Sequence, residues 1–254
     1  MSTMTLRGRA TVTASLLGAA LAAWAVTVQQ MRGMDAGPGT DLGAFGWFIG
    51  IWLTMMAAMM LPSAAPAVLM FSRLRGGAHT SPFVGGYLLA WTLYGAAGYA
   101  VFRGVREFAP SFVAWDARGP WVAGGALVAA GIYQLTPLKG ACLRHCRSPL
   151  HFLVGGRPGA LGALRAGVGH GGYCVGCCSG LMLALFALGV MSLFWMGIVA
   201  AAILVEKALP SGDRLARLFG VLLVALGIWV ASSAATVPGL TQPNEVRTEM
   251  ETLR

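Results

Sequence analysis

The run FGWFIGIWLTMMAAMMLPSAAPAVLMF, residues 45–71, decides the fold, because it contains no charged side chain. About 20 consecutive apolar residues are enough for a helix to cross the hydrocarbon core of a bilayer. The run therefore predicts a transmembrane helix. Its length allows the helix to tilt or to kink at Pro62 and Pro66, because each proline removes a backbone donor.

Similar apolar runs recur along most of the chain. Hydrophobic residues make up 57% of the sequence and charged residues 11%, a composition outside the range of soluble globular domains. We predict an all-α polytopic membrane protein, with residues 1–238 as one transmembrane domain and 239–254 as a short polar tail. Seven transmembrane helices are expected near residues 12–29, 45–71, 82–103, 119–139, 168–188, 191–208 and 214–233.

The first apolar run follows Arg7 and Arg9 and therefore resembles a secretory signal. The apolar core of a signal usually spans about 7–15 residues, and this run is longer, so we interpret it as a retained span. If it is instead cleaved, six spans remain.

The net charge of +9 has a topological interpretation. The basic residues lie between apolar runs, where membrane topology and anionic lipid headgroups account for them without nucleic acid. A cytoplasmic N-terminus places most of the Lys and Arg residues on the cytoplasmic side, as the positive-inside rule requires. The sequence thus predicts a multi-pass protein that contacts the lipid bilayer and binds no nucleic acid.

Two short runs, CLRHC at residues 142–146 and HGGYCVGCC at residues 170–178, contain all five cysteines and two of the four histidines. Positions i, i+3 and i+4 share one face of a helix, so each run aims its sulfur and nitrogen atoms in one direction. The expected topology places both runs at cytoplasmic helix ends, where thiols stay reduced. The candidate metal ligands are Cys142, His145, Cys146, His170, Cys174, Cys177 and Cys178.

Thiolate and imidazole ligands suit soft metals such as copper(I), zinc and iron–sulfur clusters. A thiolate in a medium of low dielectric constant is costly unless a cation compensates it, and a bound metal ion does so. Copper(I) is our first candidate. Zinc, an iron–sulfur cluster, and haem held by two histidines remain alternatives.

The second span adds two methionine pairs with helical i, i+4 spacing, Met55 with Met59 and Met56 with Met60. Thioethers bind copper(I) without losing a proton, so these pairs predict a copper path through the membrane. The alternative interpretation is that methionine fills irregular packing. Glu206 and Lys207, at the end of the sixth span, are either a functional intramembrane pair or a pair that reaches the headgroups.

These motifs resemble a bacterial family of predicted metal-binding integral membrane proteins that carry a domain of unknown function. The similarity covers about residues 45–208, and it depends on four segments. They are MMAAMMLPSAAP (55–66), YQLTPLKGACLRHCRSP (133–149), YCVGCCSGLM (173–182), and GVMSLFWM with the following EK (189–207). The resemblance implies metal-binding roles for Cys142, Cys146, Cys174, Cys177, Cys178 and the run from Met55 to Met60. Ser179 departs from the bulky aromatic residue expected after the double cysteine.

Three function hypotheses follow. The first is an inner-membrane protein that binds copper(I) and acts in its transport or in its delivery to a metallochaperone or metalloenzyme. No nucleotide-binding motif is present, which argues against an ATP-driven pump. The second is an enzyme, a membrane thiol–disulfide oxidoreductase that uses Cys174 and Cys177. The third is an assembly factor stapled by zinc, which would not depend on the methionine run.

Overall fold

The computed structural model describes residues 6–32, 42–108, 118–148, 158–190 and 192–233. All regular elements in these ranges are helical, so the all-α prediction is confirmed for them. The predicted tail at 239–254 lies outside the described residues. The helices are α1 (Leu6–Met31), α2 (Phe45–Arg75), α3 (Thr80–Phe108), α4 (Gly119–Leu135), α5 (Pro137–Arg147), α6 (Gly159–Leu188), α7 (Leu193–Ala208) and α8 (Gly212–Ser233), with a 3₁₀ turn at Gly77–His79.

Several of these helices are compatible with a multi-pass membrane protein. Among the described residues, α1, α2, α6 and α8 are long and apolar enough to cross a bilayer, and α4 with α5 would add a fifth span if the two count as one. Helices also lie at the other two expected spans, as α3 and α7. The number of seven spans stays a prediction.

The expected span at residues 119–139 is interrupted rather than continuous. Helix α4 ends at Leu135, α5 begins at Pro137, and the two meet at an angle of 65°. Thr136 lies at the break, because a residue before proline is disfavoured in the helical region. Its hydroxyl accepts a hydrogen bond from the Lys139 backbone N–H at 3.3 Å and so caps α5. The break turns α5, with Cys142 and Cys146, away from the direction of α4.

Two other helices differ in extent from the sequence prediction. Helix α6 begins at Gly159, nine residues before the expected start at 168, so Cys174, Cys177 and Cys178 lie inside the helix rather than at its beginning. Helix α2 continues through both Pro62 and Pro66 to Arg75. The cysteines of α6 are therefore buried within the helical bundle.

Glycines allow two helix pairs to approach closely. A Cβ atom at Gly131 of α4 would lie 2.6 Å from the backbone oxygen of Gly220 in α8. In α6, a Cβ atom at Gly167 would overlap the backbone carbonyl of Phe83 in α3. Small residues at such crossings let helix backbones pack together in a membrane. The α3–α6 contact is the one that positions the candidate site, because Tyr87 of α3 reaches Cys174 of α6.

We expect Gly167→Ala to destabilise the protein by about 1–3 kcal/mol, the usual cost of forcing extra atoms into a packed contact. Gly172→Ala is the matched control, because it lies in the same helix and a Cβ atom there would have no neighbour within 4 Å. That control should be neutral or stabilising by up to about 1 kcal/mol, since alanine favours a helix over glycine. Thermal unfolding in detergent compares the two variants, and equal midpoints would contradict a tight α3–α6 contact.

Candidate metal centre

Three thiols from two helices meet inside the protein. The Sγ atoms of Cys146 in α5 and of Cys174 and Cys177 in α6 all lie within 4.8 Å of one another, and all three residues are buried. The Sγ atom of Cys178 lies 3.5 Å from that of Cys177 but not within 4.8 Å of all three. All five cysteines are free thiols. The two cysteine runs, which lie on different helices, thus contribute to one cluster.

Two polar side chains from other helices contact the Cys174 thiol. The Lys207 ammonium of α7 donates a hydrogen bond to Cys174 Sγ at 2.9 Å and a second one to Ser63 Oγ of α2 at 3.2 Å. The hydroxyl of Tyr87 lies 3.0 Å from the same sulfur. Cys174 is therefore contacted by polar groups from two helices other than its own. Sequence reasoning missed Tyr87 as a partner, and its only signal for Lys207 was the charged pair at the end of an apolar run.

A buried ion pair holds the short helix α5 against the end of α7. The Lys139 ammonium lies 2.7 Å from Glu206 Oε2, and both side chains are almost completely buried. Gln134 donates to the other carboxylate oxygen of Glu206 at 2.8 Å. At the other end of α5, Arg147 Nη2 donates to the Leu209 carbonyl at 2.6 Å. The contacts of Lys139 and Arg147 hold α5, and with it Cys146, beside the end of α7.

The other sequence-predicted ligands surround the three thiols. Cys142 is half-buried, and its Sγ atom would lie 2.9 Å from a Cβ atom at Gly176, so this glycine makes room for it. His145 is exposed, its Nδ1 atom lies 2.9 Å from the Ala141 carbonyl oxygen, and its ring stacks on Tyr173. These two residues lie towards the outer side of α5.

His170 lies on the buried side of the cluster. Its ring stacks between Phe83 and Tyr87, with centroid distances of 6.0 and 5.7 Å. Its Nδ1 atom is buried and has no hydrogen-bond partner among the described residues. The structure thus brings His170 beside Tyr87, which itself contacts Cys174, but not into the group of three thiols.

The predicted methionines lie in the same packed core as the cysteines. Met55, Met56, Met59 and Met60 are each at most 2% exposed. Lys207 contacts both Ser63 of α2 and Cys174 of α6, so these two residues lie at one level of the bundle. Trp52 of α2 stacks on Phe186 of α6 at a centroid distance of 5.5 Å, which defines a second level. Helices α2 and α6 therefore run antiparallel, and the methionine run of α2 lies between these two levels. The two levels, at Cys174 and Phe186, lie about 18 Å apart along α6, at a rise of 1.5 Å per residue.

Met182 on α6 and Met196 on α7 are also buried in this core, as is Met31 on α1. Met182 lies between Cys174 and Phe186 in the sequence of α6. Met196 precedes Lys207 by eleven residues, or about 16 Å of helix, which matches the distance between the two levels. Sulfur atoms from α2, α6 and α7 thus lie in the core from the thiols to the level of the Trp52–Phe186 pair.

The donor set favours a soft metal of low coordination number. Thiolates select copper(I), zinc and iron–sulfur clusters over hard cations. Structural zinc sites are almost always closed by four ligands in a tetrahedron. Among the described residues, the mutually close group has three members, all of them thiols. A group of three thiols is compatible with copper(I), whereas a closed zinc site would need a fourth ligand such as Cys178, whose Sγ atom lies 3.5 Å from that of Cys177.

Comparison with protein families finds a match over more than half of the chain. A family model described as "PpoB2: Copper chaperone" matches residues 49–230, a stretch that contains the methionine run, every cysteine and Lys207. Among curated proteins and among solved structures, no significant match is found.

Proposed function

The chain belongs to the PpoB2 family of copper chaperones, and we propose that it is an inner-membrane protein that binds copper(I) for transport or delivery. The single observation that carries this proposal is the cluster of three buried thiols, Cys146, Cys174 and Cys177, within 4.8 Å of one another. Burial excludes water from the thiols, and soft sulfur ligands favour copper(I). The family description and the donor set thus support the same metal.

We assign the three clustered thiols as the primary ligands. Cys178, beside Cys177, is the next candidate. Cys142, His145 and His170 surround the cluster, and we propose that they assist loading or support the ligands rather than bind the same ion in its resting state. Met55, Met56, Met59 and Met60 form the membrane segment of the path, because thioethers bind copper(I) without deprotonation.

The topology that we propose has seven spans and a cytoplasmic N-terminus. It is supported by helices at every expected span and by the distribution of basic residues in the sequence. In this orientation the cysteine cluster faces the cytoplasmic half of a bacterial inner membrane. A metallochaperone or a metalloenzyme would then exchange copper with the site.

The metal content of the gently purified protein tests the proposal. We expect copper at about one ion per chain by plasma mass spectrometry, because the described cysteines form one group of mutually close thiols. Zinc in place of copper would contradict the proposal and favour the zinc-stapled assembly factor. Absence of metal, with Cys174 and Cys177 recovered as a disulfide under conditions that preserve their cellular state, would favour the thiol–disulfide oxidoreductase.

A further inference from the structure

We propose that Lys207 is the built-in counter-charge of the copper site. Its ammonium group would offset the negative charge that thiolate ligands leave around a monovalent ion. This inference rests on the proposed function, which names the metal and the thiols but assigns no role to Lys207. It makes Lys207 a positioning residue, which acts through Cys174 rather than by binding copper.

The geometry places the ammonium at the edge of the thiol cluster. Lys207 Nζ lies 2.9 Å from Cys174 Sγ and 3.2 Å from Ser63 Oγ. The Ser63 hydroxyl donates its own proton to the Met60 carbonyl at 2.9 Å, so its oxygen is free to accept from Lys207. A lysine ammonium has three donors and no acceptor, and two of the three are accounted for by these contacts. The position of Nζ is thus defined from α2 and α6 together.

Charge balance explains why a cation belongs there. Copper(I) with three thiolates carries a net charge of −2, and with two thiolates a net charge of −1. Uncompensated charge is costly in a medium of low dielectric constant, and a buried partner of opposite sign reduces that cost. Lys139, the other lysine near the site, is already paired with Glu206 at 2.7 Å. Lys207 is the lysine that contacts a cluster thiol directly.

Lys207 also marks the junction between the two sulfur-rich parts of the core. Ser63 follows the last methionine of the run by three residues, which is less than one helical turn. The Lys207 ammonium bridges this residue to Cys174. A copper ion that leaves the methionine run for the thiols therefore moves next to the ammonium, at the point where neutral thioether ligands give way to anionic thiolates.

The test compares copper(I) affinities of full-length variants, measured in detergent by competition with a chromogenic copper(I) chelator. Lys207→Gln removes the charge but keeps a hydrogen-bond donor, whereas Lys207→Arg keeps the charge. We expect Lys207→Gln to weaken binding by about 10–100-fold, the usual effect of losing a partner of a metal ligand. Lys207→Arg should recover most of the loss. Ser63→Ala removes one of the two acceptors that hold Nζ but leaves the charge in place, so its loss should stay below about tenfold, the lower end of that range.

The outcomes separate this inference from the proposed function. Wild-type affinity in Lys207→Gln would overturn the counter-charge while leaving copper binding intact. An equal loss in Lys207→Gln and Lys207→Arg would also overturn it, because charge would then not be the relevant property. Failure of the unsubstituted protein to bind copper(I) would instead overturn the proposed function. Thermal unfolding of the metal-free variants checks their folding, and Lys207→Leu replaces Lys207→Gln if the latter does not fold.

Discussion

Cys177→Ser is expected to lower the affinity for copper(I) by more than about a hundredfold, because loss of even an outer-shell partner costs 10–100-fold. Cys177 is buried and central, with Cys146 and Cys174 within 4.8 Å and Cys178 at 3.5 Å. Serine has nearly the same shape, so the fold should persist, but its hard oxygen is a poor ligand for copper(I). Chelator competition in detergent measures the loss directly.

Cys142→Ser is the matched control for this prediction. Cys142 belongs to the same pair of cysteine runs, yet it is half-buried and lies outside the group of three thiols. We expect its substitution to weaken binding by less than about tenfold, the lower end of the range for outer-shell partners. Equal losses in the two variants would place Cys142 among the primary ligands. Unchanged affinity in both would mean that copper binds elsewhere.

The cysteine-containing helix α5 shows how well helical spacing in the sequence predicts which residues share a face. Spacing of i, i+3 and i+4 predicted that Cys142, His145 and Cys146 share one face of a helix. The buried residues of α5 are Lys139, Leu143 and Cys146, which define the centre of its inner face. At 100° per residue, Cys142 lies about 40° from Cys146 around the helix and His145 about 100° from it. His145 is therefore exposed, although its spacing allowed either position.

The break between α4 and α5 was a second feature that hydropathy could not define. Prediction of a transmembrane helix from hydropathy depends on the number of consecutive apolar residues, and residues 119–139 contain enough of them. The Thr136–Pro137 step contains the local signal, because proline restricts the residue before it. Without the 65° bend, α5 would continue the direction of α4. The meeting of Cys146 with the thiols of α6 thus depends on this one dipeptide and on the contacts of α5 with α7.

The partners of Glu206 and Lys207 could not be read from the sequence. As neighbours on a helix they point about 100° apart, so they contact different groups rather than each other. Glu206 pairs with Lys139, which is 67 residues away in the chain, and Lys207 contacts Cys174, which is 33 residues away. Such pairings depend on how helices pack, and a single sequence contains no signal for them. The sequence therefore predicted the ligand types but not the charged groups that surround them.

Substitution of the methionine run distinguishes a protein that moves copper(I) through the membrane from one that only holds the ion. Replacing Met55, Met56, Met59 and Met60 together by leucine is expected to slow copper(I) movement across a membrane by more than about tenfold, which corresponds to about 1.4 kcal/mol on the barrier. Swaps between Leu and Met usually cost less than about 1.5 kcal/mol each, since the volumes are similar, so the bundle should still fold. Leucine has no sulfur, so the core between the thiols and Trp52 would lose the α2 thioethers that we assign to the path. The initial rate of copper(I) entry into liposomes with a trapped chelator measures the effect.

Met70→Leu is the control for this experiment, because Met70 lies in the same helix but on the other side of Ser63 from the run. It should leave the rate of copper entry unchanged. The quadruple variant should also keep copper at Cys146, Cys174 and Cys177, because those ligands are intact. A wild-type rate in the quadruple variant would show that copper does not follow the methionines. Loss of the thiol-bound copper would instead make the thioethers ligands of the same centre, since a site independent of them would keep its ion.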